Sequence, residues 1–244
     1  MAFPKKINLG EIGDCKVSLP RSYGEQQKIA TFLTAVDRRI ELLEQKKEKL
    51  EAYKKGVMQQ LFSRQIRFKQ DDGSVYPDWE EKKLGELCKK TSSNVTAGSL
   101  MESNGDHKIY GAPGFLQYVD FYQEKDAFIS IVKDGAGVGR ILKCDPKSSV
   151  LGTLDKILPL PRVNLDFLYA LLSNLDFQKY TTGSTIPHIY FKDYSKETVS
   201  VPSIEEQIKI AAFMNKLDET LSKLNLQINQ TQTWKKGLLQ QMFV

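Results

Sequence analysis

EQQKIATFLTAVDRRI, from Glu25 to Ile40, returns as EQIKIAAFMNKLDETL from Glu206 to Leu221, and KKGVMQQLF from Lys54 to Phe62 returns as KKGLLQQMF from Lys235 to Phe243. Both pairs are offset by 181 residues, and 14 of the 38 positions aligned between Glu25–Phe62 and Glu206–Phe243 are identical. Such a repeat decides the fold, because each copy of a repeated unit is usually built to bury its apolar face against its partner.

In the first copy Ile29, Leu33, Val36, Ile40, Leu43, Leu50, Val57 and Leu61 follow alternating steps of four and three, broken only by Lys47 and Lys54. The second copy runs Ile210, Met214, Leu217, Leu221, Leu224, Ile228, Thr231, Lys235, Leu238 and Met242 in the same phase. A narrow seam at heptad spacing predicts a coiled coil. Thirty-eight helical residues span roughly 57 Å, more than one compact core needs. Pro20 and Pro202 punctuate the starts, and Glu25 and Glu206 suit the positive end of a helix dipole. The chain leaves one helix end and enters the other helix start, so the expected packing is an antiparallel pair with the intervening domain at one tip. A glycine inside a helix costs about 1 kcal/mol against alanine. Gly56 and Gly237, placed alike in both copies, therefore predict a close backbone approach or a helix end.

The 244 residues, 41% hydrophobic and 27% charged, suit a soluble protein of one or two domains. No apolar run approaches the ~18 residues of a membrane span, and MAFPKKINLG lacks the apolar core of a signal peptide. The expected location is cytoplasmic, with no membrane partner. Cys15, Cys88 and Cys144 are widely spaced, without a CxxC, and the only histidines are His107 and His188, which argues against a disulfide framework and a structural zinc site. A net charge of +5 is compatible with a polyanionic partner.

Between the repeats, from about Tyr76 to Val201, the pattern changes to short runs bounded by turns. EEKKLGELCKK predicts a short helix closing near Gly85; HKIYG, DAFISIV and GRILKC predict strands separated by APG, KDGAGVG and DPKSS. LDFLYALLSNLDFQKY predicts an amphipathic helix with Phe167, Leu168, Leu171, Leu172, Leu175 and Phe177 on its apolar side, and GSTIPHIYFKDYSKETVSVP a polar turn, aromatics and a terminal strand. The whole predicts an α+β globule of ~125 residues, large enough for its own core.

Taken together, VPSIEEQIKIAAFMNKLD, the paired KKGxxQQxF endings, PDWEEKKLGEL, IYGAPGF and GSTIPHIYFKDY resemble the specificity (S) subunit of Type I restriction-modification systems over nearly the whole chain. The resemblance implies a target-recognition domain that reads half of a bipartite DNA site, mounted on two long antiparallel coiled-coil helices that act as spacers and dock methyltransferase subunits. It implies a remnant of a preceding recognition domain at 1–20, the first spacer helix at 21–64, the recognition domain at 65–201 and the second spacer helix at 202–244. A typical member carries two recognition domains, whereas this chain has one. KINLGEIGDCKVSLP aligns at an offset of 182 with HIYFKDYSKETVSVP, pairing Ile7 with Ile189, Leu9 with Phe191, Val17 with Val199 and Pro20 with Pro202. The segment is thus expected to be the last strand of a domain whose body is absent, and the chain a half-length form.

GAGVG at Gly135–Gly139 invites a phosphate-binding reading, but RILKC reads as a following strand, so a helix N-terminus is not expected there and a hairpin turn is. The acidic residues and lysine of PDWEEK are consecutive and cannot spread around a metal as two-metal chemistry requires. With so few histidines no Ser-His-Asp or Cys-His arrangement is persuasive, and His188 reads first as structural. DNA contact should mix cations for phosphates with amides, hydroxyls and aromatics for base edges. The candidates are Lys89, Lys90, Thr91, Ser92 and Asn94 after the first short helix; Tyr110, Lys133, Arg140 and Lys143 around the Gly-rich turn; and Thr182, Ser184, His188, Tyr190 and Lys192 near the end.

The expectation is a non-catalytic subunit without a cofactor of its own. Double-stranded DNA and the methyltransferase (M) subunit are its expected partners, the restriction (R) subunit an indirect one, and the working form a homodimer. S-adenosylmethionine, ATP and Mg would belong to the partner subunits. The rivals are a coiled-coil scaffold without DNA specificity and a stand-alone DNA-modifying enzyme. The latter is disfavoured because neither a spaced acidic cluster nor an Asn-Pro-Pro-aromatic motif is present.

Overall fold

The computed structural model describes residues 9–13, 20–100 and 105–242. In chain order they form α1 (Leu9–Gly13), α2 (Tyr23–Phe62), β1 (Glu80–Lys83), β2 (Cys88–Ser92), β3 (His107–Gly111), β4 (Gly114–Val119), β5 (Phe128–Val132), β6 (Ile141–Cys144), β7 (Ser149–Val150), β8 (Leu154–Pro159), α3 (Leu165–Asn174), α4 (Phe191–Tyr194), β9 (Thr198–Val201) and α5 (Ile204–Met242), with short 3-10 turns between. The fold is mixed, and it divides into two compact units: residues 1–53 with 218–244, and residues 54–217. No helix among the described residues is long and apolar enough to cross a membrane.

The first unit is made of helix. Along α2 the heptad positions Ile29, Leu33, Val36, Ile40, Leu43, Lys47 and Leu50 are each buried or half-buried while most residues between them are exposed. On α5, Leu224 and Ile228 are buried and Leu221, Thr231, Lys235, Leu238 and Met242 half-buried in the same phase. Phe32 meets Trp234 edge-on at 5.9 Å between ring centres. Lys235 pairs with Asp37, and Gln232 donates to Glu44 at 3.2 Å. Early α2 thus lies against late α5, the antiparallel sense that the repeat predicts. Gly56 and Gly237 correct an expectation: both lie inside their helices, and a Cβ on either would meet nothing within 4 Å.

The second unit holds a four-stranded antiparallel sheet in the order β2-β8-β5-β6, a three-stranded sheet β4-β3-β7 and the ribbon β1-β9. Every residue of β5 is buried, because core lies on both faces of its sheet. Ile129, Ile131 and Ile157 join one cluster with Phe167, Leu168, Leu171 and Leu172 of α3, to which Trp79, Val201, Ile210 and Met214 also belong. Phe128, Val132 and Leu154 point the other way, into a cluster with Ile109 and Val119. β3, β5, β6, the α3 region and β9 match the sequence expectation.

Three expectations are corrected. EEKKLGELCKK is not a helix: Glu80–Lys83 pairs antiparallel with Thr198–Val201, Leu84 and Leu87 are buried around a 3-10 turn, and Cys88 opens β2. The ribbon and the core override local helix propensity. The amphipathic segment splits after Asn174, where Leu175 turns extended (φ −81°, ψ 144°) and Asp176 caps a separate 3-10 turn, Phe177–Tyr180. Finally, Leu9–Gly13 is a helical turn; at the offset of 182 it falls on Phe191–Ser195, which opens as α4. The strand expected from the alignment of Val17 with Val199 lies outside the described residues.

Candidate nucleic-acid interface

Four pieces of the second unit meet around the Gly-rich turn: the β5-β6 hairpin, the end of β2, the start of β8 and the segment 181–192. Val132 N donates to Arg140 O at 2.9 Å and Gly139 N to Val132 O at 2.8 Å, so GAGVG closes a hairpin into β6, as the sequence predicts. Gly139 has a positive φ of 82°, and a Cβ there would stand 2.8 Å from the Cβ of Phe177, which only glycine avoids. The segment 181–192 is clamped to this hairpin by main chain. Gly135 N donates to Pro187 O at 2.9 Å, Ile189 N to Lys133 O at 3.0 Å, and Thr182 and His188 exchange both backbone bonds. Gly183, at φ 87°, allows that exchange, since a Cβ would stand 2.4 Å from Ile186 O.

A cleft of about 560 Å³ opens there, lined by Lys90, Lys133, Asp134, Asp155, Ile189, Tyr190, Phe191 and Lys192. Its organising group is Asp155, a carboxylate only 4% exposed in β8. It accepts from Ser92 Oγ at 3.0 Å and from Lys133 Nζ at 3.2 Å, with Lys90 Nζ 3.8 Å away. A buried carboxylate needs such partners. Across the cleft Lys192 Nζ lies 5.2 Å from the centre of the exposed Tyr190 ring, and His188 meets Tyr190 edge-on at 5.0 Å. Cations held at fixed spacing beside an exposed aromatic can neutralise phosphates and lie against a base or sugar.

The structure therefore brings Lys90, Ser92, Lys133, Thr182, His188, Tyr190 and Lys192 together, with Ser184 exposed in the same loop. The other candidates part company. Tyr110 is corrected: it lies in β3, 8% exposed and turned into the core, and its hydroxyl, 3.4 Å from Asp145 N, accepts there; burial raises its pKa. Thr91 is half-buried with its Oγ1 enclosed, so it presents no hydroxyl to a groove. Arg140 is exposed and donates through Nη1 to Ala112 O at 2.8 Å. Lys143 pairs with Asp166 of α3 at 2.5 Å. Lys89 and Asn94 are exposed away from the Asp155 cluster. Sequence reasoning missed Asp155, although an acid inside LDKILP was its signal, and it missed Phe115, Tyr118, Phe121 and Tyr122, exposed on and after β4. Among the described residues no group of three or more His, Cys, Asp or Glu could hold a metal ion.

The cleft thus gathers three lysines, a buried carboxylate and an exposed tyrosine within the second unit. The sequence model of the Type I restriction modification DNA specificity domain matches residues 3–52 and 76–231, and the chain belongs to that family. It is 25% identical over 157 residues to the Type I restriction enzyme EcoprrI specificity subunit of Escherichia coli, covering 63% of this chain and 38% of the relative. It is 24% identical over 196 residues to the MjaVIII specificity subunit of Methanocaldococcus jannaschii, covering 75% and 46%. The chain thus spans less than half the length of these curated relatives. Among solved structures it is similar to the S subunit of a Type I restriction-modification system from M. genitalium, with a TM-score of 0.67 at 21% identity over 91% of this chain and 62% of that one. The HsdS subunit from Thermoanaerobacter tengcongensis follows at 0.55 and 16%, over 88% and 56%. These likenesses support the fold.

Proposed function

We propose that the chain is a non-catalytic DNA sequence-recognition subunit of a Type I restriction-modification complex. Residues 65–201 act as one target-recognition domain reading one half-site, and 21–64 and 202–244 act as spacer helices that dock a methyltransferase subunit. Through that subunit the restriction subunit joins indirectly, and S-adenosylmethionine, ATP and Mg stay with the partners. Pairing of two copies through the helices belongs to the same reading, since one domain per chain reads one half of a two-part site and two-fold symmetry pairs inverted half-sites.

The observation that carries the reading is the cleft in which Lys90, Lys133 and Lys192 flank Tyr190 beside a glycine turn. The test is DNA binding over a salt series, with and without the methyltransferase subunit. Changing Lys133 and Lys192 to alanine should lower the salt slope by about 0.9 for each lost phosphate contact. Equal slopes for variant and wild type would remove the cleft from the interface. Cutting or methylation by the purified chain alone would refute the non-catalytic assignment.

A further inference from the structure

Of the six residues of β4, three are large, apolar and open to solvent: Phe115, Leu116 and Tyr118 are 49%, 37% and 46% exposed. β4 is also an edge strand, in a sheet ordered β4-β3-β7. Proteins ordinarily place charge rather than aromatic rings on such an edge, so an exposed apolar edge marks a surface that meets a partner.

The backbone is shaped to present these rings. Three positions apart, Phe115 and Tyr118 would point to opposite faces of a regular strand. Here the register slips: Ile109 pairs with Gln117 but Tyr110 with Phe115, so Leu116 is an extra residue in β4. Phe115 then stands opposite Tyr110 and Tyr118 opposite Lys108, two apart on β3, and both rings rise on one face. They meet edge-on with centres 5.1 Å apart. Gly111 makes room for the displaced Leu116, because a Cβ there would stand 2.8 Å from Leu116 Cδ1. Neither ring belongs to a core cluster, so the bulge and the glycine serve display rather than packing.

The surroundings choose the partner. Arg140 follows the Gly-rich turn, its N bonded to Gly137 O at 2.9 Å, and its Nη1 donates at 2.8 Å to Ala112 O, just ahead of β4. The aromatic face is thereby tied to the hairpin that carries Lys133 and the cleft. That carbonyl is neutral, which leaves the guanidinium charge uncompensated, and Lys108 beside Tyr118 takes up Asp145 at 2.6 Å. Aromatic rings bordered by cations suit a nucleotide, whose base stacks while its phosphate is anionic.

We propose that Phe115 and Tyr118 form a platform on which an unstacked base of the bound DNA packs. Methyl transfer creates such a base, because an enzyme that modifies a base in duplex DNA takes it out of the helix and leaves its partner and neighbours without their stacking contacts. The proposal rests on DNA being the ligand of the cleft, and it adds a contact that reads stacking rather than charge.

The probes are two fluorescent duplexes of one arbitrary sequence, one fully paired and one with a short central mismatch bubble, titrated with the full chain. Wild type should bind the bubble more tightly. Phe115→Ala with Tyr118→Ala should remove at least about fivefold of that preference, the factor that ~1 kcal/mol of stacking yields. The salt slope should stay as it is, because no cation is lost. Phe115→Leu with Tyr118→Leu should fail as the alanines do, and Phe115→Trp with Tyr118→Trp should keep the preference, an order that neither folding nor apolar packing alone produces. Equal bubble preference in wild type and the alanine variant would overturn the proposal. An alanine variant that keeps both DNA affinities and instead loses the methyltransferase subunit would overturn it too, by assigning the face to protein docking. Wild type that binds neither duplex would overturn the DNA reading and the platform with it, whereas a flattened slope for the Lys133 and Lys192 variant, with bubble preference unchanged in the alanine variant, would overturn the platform alone.

Discussion

The indole N–H of Trp79 donates to Glu206 Oε2 at 3.0 Å, and both residues are buried. Trp79 lies where the globular domain begins and Glu206 opens the helix that follows it, so this bond closes the domain at its own neck. Arg67 completes the clasp and is further tied by its Nη2 to Pro77 O at 2.6 Å, and Glu206 raises the Arg67 pKa.

Removing one partner of a buried charged pair leaves the other without compensation. Glu206→Ala should destabilise the fold by about 3 kcal/mol. Glu206→Gln, which keeps an acceptor for Trp79, should cost less. Its twin in the repeat, Glu25, is exposed, and Glu25→Ala should stay within about 0.5 kcal/mol. Urea unfolding of the three variants reads the difference; equal losses at Glu25 and Glu206 would show that the clasp contributes nothing specific.

The helical unit offers a second comparison. Leu224 is 3% exposed and Leu43 half-buried, whereas Leu42 and Leu226 on the same helices are 49% and 58% exposed. Changing Leu43 and Leu224 together to aspartate places two charges in the seam and should cost more than about 4 kcal/mol. The same change at Leu42 and Leu226 should be close to neutral. Thermal unfolding followed by helical circular dichroism checks this, and similar midpoints for the two pairs would mean that the seam is not where the helices are held.

The seam was legible because a helix buried on one stripe writes that stripe into its sequence: the heptad positions from Ile29 to Leu50 are the covered ones. β5 was legible for a related reason, since a strand enclosed on both faces is a near-continuous apolar run, here broken only by the buried Ser130. β1 was not, because Glu80–Lys83 has no apolar residue and owes its extended form to pairing with β9. In the cleft, lysines and aromatics could be nominated by chemical type, but Tyr110 and Tyr190 look alike in sequence and differ only in which face of the fold they meet. Asp155 escaped notice because its meaning depends on Lys90 and Lys133, far away in the chain.

That cluster sets the third prediction. Asp155 holds Lys133 at 3.2 Å and lies 3.8 Å from Lys90, competing with any phosphate for both cations. Asp155→Asn should add net positive charge to the cleft, raise binding to unrelated DNA and steepen its salt dependence by up to about 0.9 per lysine released. Discrimination between target and unrelated DNA should fall, because the lysines lose their fixed spacing. Unrelated-DNA affinity and slope that match wild type would show that these lysines do not meet phosphate.

The thiols supply a prediction with a pH sign. Cys88 and Cys144 are each 1% exposed, and burial pushes both pKa values up to about 12 from an ordinary 9.0. For Cys144 a hydrogen-bonding contact with Ser130 Oγ at 3.3 Å opposes that rise without cancelling it. A raised thiol pKa means that the fold prefers the neutral form. Its contribution is complete below about pH 9 and is lost progressively as pH rises from there toward 12, where the unfolded chain ionises and the folded one does not. Two consequences can be measured in a Cys15→Ser chain. At about pH 8 a thiol reagent should modify neither cysteine faster than the protein unfolds, because the reactive thiolate is suppressed and inaccessible. Above about pH 9, stability should fall more steeply in that chain than in one also carrying Cys88→Ala, by up to ~1.4 kcal/mol per pH unit for the thiol removed. Rapid native-state labelling, or identical alkaline slopes with and without Cys88, would place that sulfur in solvent rather than against Leu84 O, 3.4 Å away at the base of β2.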